Sequence, residues 1–329
     1  MTDRPAPHLQ PLDEDHLRRR LVQCGPFARL ERVESIGSTN AWLVEELSRS
    51  ASAGTVGAES DWPHLSVLTA EEQTGGSGRL GRSWVSPRCS SLSTSIVLRP
   101  ALAGQDLAWI SLLAAAALTE VLREDCGLEA QLKWPNDVHI HGRKISGILA
   151  ALAAGGPDVG GALILGCGIN VLLTEDQLPT PTSTSALLEL ERAQRSQPDQ
   201  RSQPDLASQS DLTLPSALTA EASSPDLRTG LLASFLERFA AILAEAERQG
   251  SAAALRPRIA AVMDTIGQEV RIELPDGSAE RGTATALDAD GALRVEVRHR
   301  RRAADALWQE QPVTQRSFSA GDVVHLRRR

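Results

Sequence analysis

The sequence predicts an α+β protein: a sheet of neighbouring strands covered by helices, followed by a small barrel of short strands. Three observations carry this. Residues 105–126 place Leu107, Ile110, Ala114, Ala117, Leu118, Val121 and Leu122 on one apolar helical stripe that stops at Gly127. Strand-like runs then recur at 129–134, 136–141, 144–152 and 161–169, the second and third joined by a turn at His141-Gly142, so neighbouring strands are expected to pair antiparallel. From 266 onward the chain reads as short strands with tight turns, the pattern of a small barrel.

The remaining elements follow in chain order. Residues 1–30 are charged and Pro-bearing and form an extension with one short helix around Leu12 to Val22, too little chain for a helix-turn-helix domain. A helix starts at Ser38, with Trp42, Leu43 and Leu47, and fades over 48–54. Residues 66–70 read as a strand, 75–81 as a Gly-rich loop and 91–98 (SLSTSIVL) as an alternating, half-buried strand. Residues 190–226 repeat RSQPD at 195–199 and 201–205 in a Ser/Pro/Gln/Asp background that cannot bury a core, and are expected to be a disordered insertion. A helix returns over 227–248 with Leu231, Leu232, Phe235, Phe239 and Leu243 on one face. The barrel strands are expected at 270–274, 282–287, 292–297 and 318–326, with Arg298, Arg300, Arg301 and Arg302 in an irregular solvated loop. This divides the chain into an extension (1–30), a main domain (31–265) and a C-terminal domain (266–329).

Composition narrows the function classes. A chain of 329 residues that is 41% hydrophobic can bury more than one core. Its net charge of −8, from 42 acidic and 34 basic residues, repels nucleic acid and anionic membrane, so neither is an expected partner. Cys24, Cys89, Cys126 and Cys167 form no C-x-x-C pair and read as reduced, apolar thiols. With no secretory signal and no membrane-length apolar run, the expected location is the cytoplasm.

The chemistry lies in four short motifs. Gly75-Gly76-Ser77-Gly78-Arg79-Leu80-Gly81-Arg82 combines open backbone N–H groups with two guanidiniums, a mixture suited to phosphates. It matches G-x-G-x-x-G formally, but Ser-Trp-Val-Ser-Pro follows instead of the helix that a Rossmann or P-loop site needs. Lys133-Trp134-Pro135-Asn136-Asp137, with Lys144 in GRKISGIL, gathers cations beside a carboxylate able to hold a divalent ion. Gly166-Cys167-Gly168-Ile169-Asn170 ends an apolar strand with glycines where backbone approaches a ligand closely. Ser38-Thr39-Asn40 opens the first helix, where a hydroxyl serves as an N-cap.

In this order and spacing the four motifs resemble the biotin protein ligases, in detail over about residues 33–173 and less specifically through the C-terminal barrel. The resemblance implies a mixed sheet like the class II aminoacyl-tRNA synthetase core and a small SH3-like C-terminal barrel. It implies ATP and biotin as substrates, with Mg²⁺, and a biotin carboxyl carrier protein or domain as the acceptor partner; a homodimer stays open. Lys144 and Arg79 are the implied catalytic residues. Biotin is assigned to Ser38, Thr39, Asn40, Gln73, Ser77, Gly78, Arg79, Lys144, Gly147 and Gly166. ATP is assigned to Gly76, Arg79, Arg82, Trp84, Lys133, Asn136 and Asn170, and the metal to Asp137. Most members carry Arg where this chain has Ser77. The alternatives are a lipoate-protein ligase-like adenylating transferase and a biotin-sensing repressor. The short extension and acidic charge favour a ligase without the repressor's DNA-binding domain.

Overall fold

The computed structural model describes residues 9–52, 62–153, 161–196, 226–319 and 321–326. The elements begin with α1 (Glu14–Leu17, continued by a π-helical turn Arg18–Gln23), β1 (Arg29–Val33), α2 (Thr39–Ser52), β2 (Ser66–Ala70), β3 (Gln73–Ser77), β4 (Ser83–Ser86) and β5 (Ser91–Leu98). Next come α3 (Trp109–Glu124), β6 (Ala130–Lys133), β7 (Asp137–Ile140), β8 (Arg143–Ala153), β9 (Ala162–Asn170), α4 (Ala186–Ser196), α5 (Leu227–Arg248) and α6 (Arg256–Val262). The C-terminal strands are β10 (Glu269–Glu273), β11 (Ala279–Leu287), β12 (Leu293–Arg301), β13 (Gln309–Phe318) and β14 (Asp322–His325). The chain divides into two compact units, one of residues 1–99, 120–130 and 140–238, the other of 100–119, 131–139 and 239–329.

In the first unit five strands lie in the order β1-β2-β5-β9-β8. β1 runs parallel to β2, whereas the β2–β5, β5–β9 and β8–β9 pairs are antiparallel, so the sheet is mixed. Leu43 and Leu47, one helical turn apart on α2, bury against Leu68, Val97 and Ile164 of the sheet together with Trp62. The N-terminal helical stretch buries Leu12, Leu17 and Leu21, each contributing ~1.5–3 kcal/mol of apolar burial. β1 was not foreseen: Arg29-Leu30-Glu31-Arg32-Val33 has too few apolar residues to signal a strand, and pairing with β2 supplies what local propensity does not. α4 extends to Ser196 and so takes in residues 190–196, which composition assigned to the insertion. The stretch 197–225 lies outside the described residues.

A buried ion pair organises this unit. Arg228, at the start of α5, is fully buried and donates from Nη2 to Glu71 Oε2 (2.8 Å) and Ser91 O (3.0 Å), and from Nη1 to Gln10 O (2.9 Å). Glu71 Oε1 accepts from Leu12 N at 2.8 Å and lies 3.3 Å from Arg32 Nη1. Every charged atom here finds a partner, as burial of charge requires. Glu71 stands two residues before Gln73 at the end of β2, so the ion pair fixes where β3 begins.

In the second unit five antiparallel strands lie in the order β13-β12-β11-β10-β14. Val270, Ile272, Ala284, Leu293, Val295, Val297 and Val323 alternate inward and are buried. Gly277 and Gly291, at φ +80° and +81°, make the turns before β11 and β12. The expected barrel is present, but two of its details differ. Arg298, Arg300 and Arg301 lie on β12, not in a loop, and β13 occupies 309–318, where irregular chain was expected. Cross-strand pairing with β11 extends β12 through its charged end, overriding composition.

Residues 131–139 belong to this second unit. Leu132 bridges to Met263 and accepts from Asp264 N at 2.9 Å. Trp134 donates from its backbone N to Thr265 Oγ1 and from Nε1 to Gly291 O, both at 3.0 Å. The turn carrying Lys133, Asn136 and Asp137 is therefore anchored on the C-terminal domain and the segment leading into it.

Candidate active site

The first unit assembles most of the motif residues. At the start of α2, Ser38 Oγ accepts from Ala41 N at 3.3 Å, an N-cap. Thr39 donates from N and from Oγ1 to Gln73 Oε1, at 3.0 and 3.2 Å. Ser95 Oγ lies 2.7 Å from Thr39 Oγ1 and 2.7 Å from Asn40 Oδ1, and Asn40 Nδ2 donates to Leu149 O at 3.0 Å. The result is a polar string running from β5 through α2 to β3, with each side chain oriented by the next. Networks of this kind fix donors and acceptors for a small polar ring.

The Gly-rich segment is a hairpin and not an open loop. Gly76 pairs with Trp84 and Ser77 with Ser83, Gly78 N donates to Arg82 O at 2.6 Å, and a 3₁₀ turn at Arg79–Gly81 closes the tip. Gly81 takes φ +73°, which suits glycine. Ser77 and Arg82 are exposed, whereas Gly78 and Arg79 are half-buried.

Two glycines form the floor under Trp84. Gly147 on β8 and Gly168 on β9 are cross-strand partners. A methyl group added at Gly168 would lie 2.4–2.8 Å from three indole atoms of Trp84. One added at Gly147 would lie 3.1 Å from Lys144 Nζ and 3.4 Å from Trp84 Cζ3. The glycines that the sequence marked for close approach thus accommodate the protein's own side chains, for Gly166 lies equally close to the Asn40 amide. Lys144 Nζ stands 6.0 Å from the Trp84 ring, within reach of a cation–π attraction. Its main chain is tethered on both sides, N to Thr182 O (2.8 Å) and O to Thr184 N (2.9 Å).

Thr39, Asn40, Gln73, Gly76, Trp84, Lys144, Gly147 and Gly166 are therefore joined in one chain of contacts. Ser38 caps the helix beside them, while Ser77, Gly78, Arg79 and Arg82 occupy the hairpin tip. Asn170 ends β9, buried, with Nδ2 donating to Thr184 O at 3.0 Å. Its Oδ1 and Trp84 Nε1 are buried polar atoms without a hydrogen-bond partner. Ser95 is the residue that sequence reasoning missed. Its signal was there: Ser91, Ser93 and Ser95 fall at alternate positions of a strand that is buried throughout, and buried hydroxyls need partners.

In the second unit Lys133, Asn136 and Asp137 share one strand-turn-strand. His139 Nε2 lies 3.8 Å from Asp137 Oδ2. Nearby, His325 Nε2 lies 3.2 Å from Thr265 Oγ1, and its Nδ1 lies 3.8 Å from Asp264. Burial pulls the His325 pKa below the usual imidazole value; Asp264 opposes this, and Lys133 and His139 reinforce it. Among the described residues no group of three His, Cys, Asp or Glu side chains could hold a metal. Asp137 alone does not build a resident metal site. Among the described residues no helix is long and apolar enough to cross a membrane.

Comparison with known proteins agrees with this geometry. Residues 57–170 match the biotin/lipoate A/B protein ligase family, and residues 265–326 match the biotin protein ligase C terminal domain. A biotin–acetyl-CoA-carboxylase ligase of Mycobacterium tuberculosis is 32% identical over 332 residues, covering 99% of this chain and 100% of that protein. One from Paracoccus denitrificans is 42% identical over 106 residues, 32% of this chain and 43% of that protein. The fold is similar to that of the biotin protein ligase from Aquifex aeolicus solved with biotin and ATP, at a TM-score of 0.61 and 22% identity, covering 92% of this chain and 100% of that one. Since both matched domains and an end-to-end relative agree with the motifs and the mixed sheet, the chain belongs to the biotin protein ligase family.

Proposed function

We propose that this protein condenses biotin with ATP to biotinyl-5'-AMP, releasing pyrophosphate, and then transfers biotin to a lysine of a biotin carboxyl carrier protein or domain. The observation that carries this reading is the connected set running from the Ser95-Thr39-Gln73 string to Trp84 and Lys144. It sets hydroxyl and amide groups suited to a ureido ring beside a cation and an aromatic floor suited to a carboxylate and a nucleotide. Full-length likeness to a relative named as a biotin–acetyl-CoA-carboxylase ligase supports the same substrates.

In the first step a biotin carboxylate oxygen attacks the α-phosphorus of ATP, the P–O bond to the β-phosphate breaks, and pyrophosphate leaves. Lys144 and Arg79 neutralise the carboxylate and phosphate oxygens where charge accumulates. Thr39, Gln73, Ser38 and Asn40 orient the ring end, with Gly147 and Gly166 keeping the sheet surface low beneath it. At the hairpin tip the Ser77 hydroxyl and Arg82 are assigned to the adenylate, while the Gly78 N–H is held by Arg82 O and shapes the tip. Ser77 gives hydrogen bonding without charge. Lys133, Asn136 and Asn170 are assigned to the nucleotide, and Asp137 to the magnesium it carries. In the second step the neutral amine of the acceptor lysine attacks the acyl carbon, AMP departs, and the amine loses a proton. No acyl-enzyme forms, so the hairpin's task is to exclude water from the mixed anhydride.

Pyrophosphate release from ATP with biotin, compared with lipoate, tests the proposal. Release with biotin and labelling of a carrier lysine are expected; release with lipoate alone would overturn it.

A further inference from the structure

The C-terminal sheet carries a cationic surface that the ligase reaction does not use. Arg271 on β10 sits directly opposite Arg281 on β11, and Arg281 sits opposite His299 on β12. Arg301 follows two residues after His299. The core-facing positions of these strands are buried, while Arg271, Arg281, His299 and Arg301 are half-exposed, which places all four on the face turned away from the core. Trp308 covers part of the row, with the Arg281 guanidinium 3.9 Å and that of Arg301 5.2 Å from the ring centroid.

The acids that would ordinarily neutralise such a row are elsewhere. Glu280, fully buried, pairs with Arg300 and Arg316. Among the described residues Glu273 pairs with Arg271 at 3.1 Å, and Glu310 stands opposite His299 on β13, so the acids gather at the two ends of the row. Among the described residues no carboxylate lies within ion-pair distance of Arg281 or Arg301, and the Nε atoms of Arg271, Arg281 and Arg301 are buried without a hydrogen-bond partner. Burial together with Arg271 and Arg301 lowers the affinity of Arg281 for its own proton. Like charges assembled on one face, with desolvated donors, favour binding of an anion.

We propose that this face binds an acidic segment of a partner protein, one with Asp or Glu side chains interspersed with apolar ones. Three features select a peptide over a nucleic acid. The row is short, and Asp305 and Glu310 interrupt the basic hairpin, breaking the continuous track a polyanion follows. Leu307 (87% exposed), next to Trp308 in the chain, and Val313 (59% exposed), on the adjoining β13, offer apolar contacts that a phosphate backbone does not use. Trp and Arg together are the side chains that anchor protein interfaces.

The test uses the full chain, a fluorescein-labelled peptide of Asp-Glu-Glu-Leu repeats, its Asn-Gln-Gln-Leu counterpart and a mixed-sequence DNA duplex. Anisotropy should show salt-sensitive binding of the acidic peptide only. Arg301→Ser and Arg281→Ser should each weaken it on the order of tenfold or more, while Arg298→Ser, at an exposed position outside the row, leaves it unchanged. Thermal melting verifies the fold; should Arg281→Ser unfold, Arg301→Ser at the strand end decides alone. No peptide binding, equal binding of the neutral peptide, insensitivity to Arg301→Ser, or tighter binding of DNA through the same arginines would each overturn the proposal.

Discussion

Replacing Gly168 with alanine isolates the floor beneath Trp84 from the rest of the site. The added methyl would lie 2.4, 2.6 and 2.8 Å from indole Cε2, Cζ2 and Nε1. Ordinary carbon contacts begin near ~3.5 Å, so the ring must rise by about 1 Å. Because Trp84 is paired with Gly76 across the hairpin, the hairpin tip with Arg79 must move as well. Overpacking on this scale costs ~1–3 kcal/mol, and if the cost falls on the adenylation geometry the rate drops by about 5- to 150-fold. Biotin-dependent exchange of pyrophosphate into ATP measures the rate, and thermal melting separates it from unfolding. In a Trp84→Ala background the clash has no partner, so Gly168→Ala should then add less than about twofold. Exchange unchanged by Gly168→Ala, or an equal loss in both backgrounds, would refute the reasoning.

Four further outcomes are expected. Lys144→Ala lowers adenylate formation by about 10²- to 10³-fold with an unchanged melting curve, since Thr182 and Thr184 hold its main chain; rapid-quench detection of biotinyl-AMP decides. Ser95→Ala removes the support of Thr39 and raises the KM for biotin by about 2- to 12-fold, the equivalent of one hydrogen bond, with kcat less affected. Arg228→Met leaves Glu71 buried with Arg32 as its remaining ion-pair partner among the described residues, and should cost about 3 kcal/mol or more in denaturant unfolding; adding Glu71→Leu should restore part of the loss. His325, whose folded pKa is depressed, binds its proton more readily unfolded. Stability is therefore complete above the unfolded value of ~6.5 and declines as pH falls from there toward the lower folded value. Melting of His325→Gln should lack that decline.

Legibility tracked whether a residue's role was local. The α3 stripe, the His141-Gly142 turn with both residues at positive φ and the alternating strands of the barrel follow from short-range pattern, and the structure has them. β1 and β13 were not visible because their strands exist through pairing with β2 and β12, not through their own apolar content. The motif residues were identified together by their order, yet their contacts were not. Gly166 and Gly168 were expected to let backbone approach a ligand; in the structure the side chains of Asn40 and Trp84 lie against them, and nothing in the sequence says so. Ser95 escaped because a hydroxyl in an alternating strand looks solvent-facing until both faces of the strand are known to be buried.

The Arg228–Glu71 ion pair sets a constraint on how the chain is made. Its partners are 157 residues apart, so at ~5–20 residues per second a ribosome leaves Glu71 without Arg228 for about 8–30 s. Over that interval β1, β2 and the residues leading into Gln73 exist as nascent chain, with Arg32, already synthesised, as the cation at hand. The final geometry of the biotin end of the site therefore waits on the arrival of α5. A pause or truncation before Arg228 is made would leave a half-built site in which Arg32 is the cation at hand for that carboxylate.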